Sequence, residues 1–160
     1  MIPEIALMMT LSASDMFGQM LKLEGEWRGS YEWTDGRTGA GAMRVRYTVT
    51  GAGSALVEDL INEEGVATMT TVYHLDGDDL RMTHYCAARN QPRLKSSLIS
   101  DAPSAAEFQF VDVTGMTKYG SVQAFRIEIV DADHLNLRFT FAGNPRTRGV
   151  EHIRLTRVTT

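Results

Sequence analysis

Two residues near the middle of the chain, His84 and Cys86, are of types that carry proton transfer or nucleophilic chemistry, and a spacing of two puts them on one face of a β-strand. Their surroundings follow from a hairpin around Asp76-Gly77-Asp78-Asp79, registered so that apolar positions share a face. Pairing Leu75 with Leu80 sets Tyr73 opposite Met82, Thr71 opposite His84 and Met69 opposite Cys86. His84 then faces inward. An imidazole there hydrogen-bonds a ligand, exchanges protons near neutral pH with Tyr73 as companion, or is a structural histidine satisfied by a hydroxyl such as that of Thr71. Cys86 reads as a small buried hydrophobe. Same-face neighbours on one strand stand ~6.5–7 Å apart, too far for the imidazole to take the thiol proton.

Other chemistry finds less support. His74, His84, His134 and His152 show no close spacing and Cys86 is the single cysteine, so no metal site is expected and a disulfide within the chain is excluded. Arg44 and Arg46 alternate with Met43, Val45 and Tyr47 and read as outward-facing. Arg89, Asn90, Gln91 and Arg93 surround Pro92 and gather several donors at one rim of the sheet, as a ligand gate or a hydrogen-bonded loop. Glu58-Asp59 and Glu63-Glu64 are sequence neighbours, poorly placed for acid–base work, and read as solvated. The glycines at 36, 39, 41, 51 and 53 fall in strand connections with no helix after them, which argues against nucleotide binding. With 16 Lys and Arg against 20 Asp and Glu, a formal charge of -4, the chain lacks the basic field of a nucleic-acid binder.

These side chains need a scaffold, and 160 residues suffice for one domain with a single core. Residues 1–24 read as an extension with a short helix, capped by Ser12 or Ser14 and running to about Leu23, with Met16, Phe17, Met20, Leu21 and Leu23 on its apolar face. Residues 25–160 read as about ten short strands of period two, punctuated by Gly, Asp, Asn and Pro at intervals of roughly ten residues. Asp101 to Ala106 reads as a loop. A second hairpin, around Asp131-Ala132-Asp133, pairs Ile129 with Leu135 and aligns Phe125 and Ile127 with Leu137, Phe139 and Phe141 on the inner face. Consecutive hairpins pair neighbour with neighbour, and closing the meander removes both edges, so an all-β antiparallel up-and-down barrel is expected rather than a sandwich. A barrel of this size has room inside for a small ligand. No segment is long and apolar enough to span a bilayer, and Ile5 to Leu11 is too short and follows Glu4 rather than basic residues, so a cytoplasmic protein is expected; a shortened signal would place it in the periplasm or outside.

The first strand carries a resemblance. Leu23-Glu24-Gly25-Glu26-Trp27-Arg28-Gly29-Ser30-Tyr31 after a short helix resembles the Gly-x-Trp opening of the calycins, which include lipocalins, fatty-acid-binding proteins and nitrobindins. The resemblance implies a Trp27 that closes the barrel floor with Arg154 or Arg157 of the last strand packed across it. Tyr73-His74-Leu75-Asp76-Gly77-Asp78-Asp79-Leu80-Arg81-Met82-Thr83-His84-Tyr85-Cys86, continuing to Asn90-Gln91-Pro92-Arg93-Leu94, resembles uncharacterised bacterial lipocalin-like proteins, over about Gly25 to Val158. Nitrobindins bind haem through a histidine on the final strand, where this chain has His152; their Gly-x-Trp-x-Gly-x-Gly opening departs here at Tyr31. Alternation on that strand admits Ile153 and Leu155, or Val150, His152 and Arg154, to the interior.

The expected function is a non-enzymatic barrel holding a small hydrophobic or amphipathic ligand, without a cofactor, against Trp27, Tyr31, Met69, Thr71, Tyr73, Met82, His84, Cys86, Phe125, Phe139 and Phe141. The alternative is haem bound through His152. An enzyme using His84 and Tyr73 is a third class, and a homodimer through an outer barrel face is open.

Overall fold

The structure is a computed structural model and describes residues 11–160, so positions 5–10 of the apolar run lie outside the described residues. Helix α1 (Ala13–Leu21) begins at Ser12, whose hydroxyl accepts from the Asp15 N–H while the Asp15 carboxylate accepts from the Ser12 N–H. Ten strands follow: β1 (Gly25–Thr34), β2 (Gly39–Thr50), β3 (Ala55–Ile61), β4 (Ala67–Asp76), β5 (Asp79–Tyr85), β6 (Asn90–Asp101), β7 (Ser104–Gly115), β8 (Ser121–Ile129), β9 (His134–Ala142) and β10 (Gly149–Arg157). Each is antiparallel to the next, and β1 also pairs with β10, giving a closed barrel. The expected fold class is what the chain adopts.

The hairpin registers agree with the alternation. Leu75 pairs with Leu80, Tyr73 with Met82 and Thr71 with His84; Ile129 pairs with Leu135, Ile127 with Leu137 and Phe125 with Phe139. Pairing of β4 with β5 stops at Thr70 and Tyr85, so Met69 and Cys86 are not ladder partners. The stretch Asp101 to Ala106 is not a loop: β7 already runs from Ser104, and Ser100 to Asp101 pairs with Ser104 to Ala105 around a two-residue turn. Ladder hydrogen bonds override the weak strand preference of a Ser- and Ala-rich segment.

One end of the barrel is stoppered by α1. Met16, Phe17 and Met20 of the helix, with Leu23 beyond it, are buried, and Trp27 at the start of β1 donates its indole N–H to the Leu23 carbonyl at 2.8 Å. The Arg157 guanidinium lies 4.4 Å above the Trp27 ring and donates to the Lys22 and Glu24 carbonyls, supplying partners to backbone oxygens that the helix end leaves open. Arg157 therefore packs across the tryptophan, whereas Arg154 is exposed.

The seam between β1 and β10 tolerates no side chain at Gly29. A methyl group there would collide with the Arg154 backbone carbonyl across the ladder. Gly29→Ala is expected to cost about 2 kcal/mol or more, since relief requires parting two backbones rather than turning a rotamer. Its denaturant midpoint should fall accordingly; an unchanged midpoint would show that the seam is looser than described.

Candidate functional site

Alternation along the strands selects which side chains enter the barrel, and position along each strand sets their depth. Next to α1 the interior is filled. Tyr73, Phe108, Phe125 and Phe139 form a connected aromatic stack with ring centroids 4.5 to 6.2 Å apart, and Phe139 meets the His84 ring at 5.1 Å. Trp27, Thr71, Tyr73, Met82 and Phe125, all expected as cavity walls, belong to this packed half. They face inward but sit below the open space, because aromatic volume and the helix consume it.

Beyond His84 the barrel opens into a cavity of about 710 Å³ whose lining includes the expected Tyr31, Met69, His84, Cys86, Phe139 and Phe141. Small residues, Ala40, Gly41, Ala42, Ala87 and Ala88, leave room between the rings of Tyr31, Trp33, Phe139 and Phe141. Leu60, Val122 and Met69 add apolar surface. Glu63 and Glu64 of the β3–β4 turn, Tyr119 of the β7–β8 loop and Arg37 of the β1–β2 turn complete the mouth.

The expected rim donors do not line this cavity. Asn90 is fully buried and donates through Nδ2 to the Met116 and Gly120 carbonyls, so it holds the loop that carries Tyr119. Gln91 accepts from the Thr114 hydroxyl, Arg93 pairs with Asp112, and Arg89 is exposed in the β5–β6 turn with φ 63°. Pro92 lies within β6 rather than in a loop, which turns its neighbours onto the outer face.

His152 is also outside. On β10 the buried positions are Gly149, Glu151, Ile153 and Leu155, and His152 contacts the Thr34 hydroxyl at 3.1 Å on the outer surface. The haem expectation required an inward His152; the residue β10 presents to the cavity is Glu151. Among the described residues no group of three or more His, Cys, Asp or Glu side chains could hold a metal ion.

Two buried carboxyls were missed by the sequence reading. Glu58, expected in solvent, is fully buried between Leu56 and Leu60, and its Oε2 accepts from the Tyr47 and Tyr73 hydroxyls at 2.7 and 2.9 Å. Oε1 has no hydrogen-bond partner among the described residues. Burial raises this carboxyl to about 7 against the pull of hydrogen bonds from Tyr47, Tyr73 and Thr71, and both tyrosines are pushed up by burial and by the carboxylate. Because Tyr73 is committed to Glu58 in the packed half, His84 and Tyr73 do not form an acid–base pair in the cavity.

Thr71 links the network to the cavity, its hydroxyl lying 2.9 Å from His84 Nδ1. The Thr71–Nδ1 contact fixes the ring, and in the tautomer that carries its proton on Nδ1 the other nitrogen, Nε2, is an acceptor. Burial lowers His84 to about 4, so the ring is neutral at physiological pH. Glu151, 5% exposed, is likewise raised to about 7 by burial, with Arg37 opposing, and receives no hydrogen bond among the described residues. Cys86 borders the same space with its thiol raised by burial, which argues against a reactive thiolate.

The pH dependence of stability follows from these groups. A carboxyl raised from 4.5 to about 7 stabilises the fold below pH 4.5, and that stability is lost as pH rises to about 7; a histidine lowered from 6.5 to about 4 acts oppositely. Glu58→Gln removes the first effect. Its stability relative to the parent should climb by up to about 3 kcal/mol between pH 4.5 and 7.5, measured by urea unfolding at each pH. A gap independent of pH would show that Glu58 is not held in this environment.

No protein-family model and no curated protein matches the chain. Solved structures share its fold, among them the following two. The crystal structure of Rv2717c from M. tuberculosis superposes with a TM-score of 0.64 at 12% identity, covering 90% of this chain and 98% of that one. A protein of unknown function from the DUF3598 family of Nostoc punctiforme superposes with a TM-score of 0.56 at 14% identity, covering 88% of this chain and 49% of that one. At such identities the likeness extends to the fold alone.

Proposed function

We propose that this chain is a binding protein that holds one small, largely apolar molecule in the open half of its barrel. The observation that carries the reading is the cavity itself: about 710 Å³, within the size range of ligand sites, walled by Leu60, Met69, Val122, Phe139 and Phe141 and furnished with a few polar groups at fixed positions. Its floor is closely packed, with Phe139 in the aromatic stack and His84 bonded to Thr71. Catalysis has weaker support, since Cys86, the thiol beside this space among the described residues, is raised by burial rather than activated.

The test uses N-phenyl-1-naphthylamine, a neutral dye whose emission rises in apolar surroundings. The parent protein should take up the dye, and Met69→Trp, which places an indole in the open space, should weaken uptake by about tenfold or more, equivalent to about 1.4 kcal/mol. Equal uptake by the variant would place the dye elsewhere and contradict the reading.

A further inference from the structure

The charged groups that line the cavity are mostly acidic, beside the neutral polar side chains of Tyr31, Asn62, Thr68, Tyr119 and Thr147. Glu151 enters from β10, beside Phe139 of β9 and Trp33 of β1, and is 95% buried on the strength of its 5% exposure, with no hydrogen bond to its carboxyl among the described residues. His84 is fixed through Nδ1 by Thr71, and with the proton on Nδ1 its Nε2 is an acceptor. Glu63 and Glu64 add two further carboxylates at the lip. Against these three acids the lining contains one cationic residue, Arg37, whose guanidinium stacks 4.2 Å over the Trp33 ring and acts on Glu151 through space.

A fatty-acid site needs the reverse arrangement, a cation or a cluster of donors for the ligand carboxylate. An acceptor-rich apolar pocket with an unpartnered buried carboxyl is complementary to a donor, and a cationic donor offsets the desolvation that the carboxyl already bears. The acidic lip further raises the local concentration of cations and lowers that of anions.

Resting on the binding reading above, we infer that the ligand is an apolar molecule bearing a protonated amine or a similar nitrogen donor, its apolar part against Leu60, Met69, Phe139 and Phe141 and its nitrogen between Glu151 and His84.

Competition for the bound N-phenyl-1-naphthylamine by decylamine, decanol and decanoate at pH 7.5 tests this, because the three share an apolar chain and differ in the head. Decylamine should displace the dye at a concentration about tenfold below that of decanoate, with decanol between them. Glu151→Gln should bring amine and carboxylate within about threefold of each other, and Arg37→Gln should widen the parent's preference. Should Glu151→Gln unfold, Glu63→Gln with Glu64→Gln on the exposed lip should narrow the preference in low salt. Dye uptake with equal displacement by amine and carboxylate, or a preference that no carboxyl substitution changes, would overturn the amine assignment while leaving the binding reading intact. Absence of dye uptake by the parent would overturn the binding reading and this inference with it.

Discussion

Closure of β1 against β10 is the constraint on which the rest of the molecule depends. It pairs the two strands that an open meander would leave as edges, and it does so over eight consecutive register positions from Trp27 with Arg157 to Thr34 with Val150. Gly29 permits the close approach, and Trp27, Arg157 and the end of α1 lock the adjoining floor. Once closed, the sheet divides side chains into an inner set cut off from water on one side and an outer set in solvent. The unusual ionisation of Glu58, His84 and Glu151 follows from that division, since burial is the largest cause of each shift.

Inside, the two halves of the barrel use different residues to different ends. The half next to the helix is packed with rings and contains the Tyr47–Glu58–Tyr73 network, which supplies two phenolic donors to one carboxyl oxygen. The other half mixes alanine, glycine and aliphatic residues with rings and polar side chains and leaves space. His84 stands where they meet, touching Phe139 and bonded to Thr71, so the buried network fixes a ring that lines the cavity. A closely packed floor of this kind lowers the ordering cost of binding.

Much of this architecture was legible in the sequence, and the limits have physical causes. Period-two alternation gave the strands and two hairpin registers, because a slip by one residue would expose a whole face. Alternation reports the face of a residue and not its height in the barrel, which is why Trp27, Tyr73, Met82 and Phe125 were grouped with the cavity walls. Glu58 alternates with Leu56 and Leu60 and could have been placed inside, yet a lone carboxylate in a strand defaults to solvent until its partners are known. Those partners, Tyr47 and Tyr73, lie on neighbouring strands, 11 and 15 residues away in sequence. On β10 two alternations fitted equally well; pairing of Glu151 with Phe139 and Trp33 settles the choice and sends His152 outward.

The central claim, that the open half of the barrel holds a small organic molecule, is tested most directly by native mass spectrometry of the protein isolated from its own host, with an absorption spectrum of the same sample. A discrete added organic mass released on denaturation, nitrogen-containing, with no Soret band, is expected. The bare polypeptide mass under conditions that preserve noncovalent complexes, or an added mass matching haem, would contradict it.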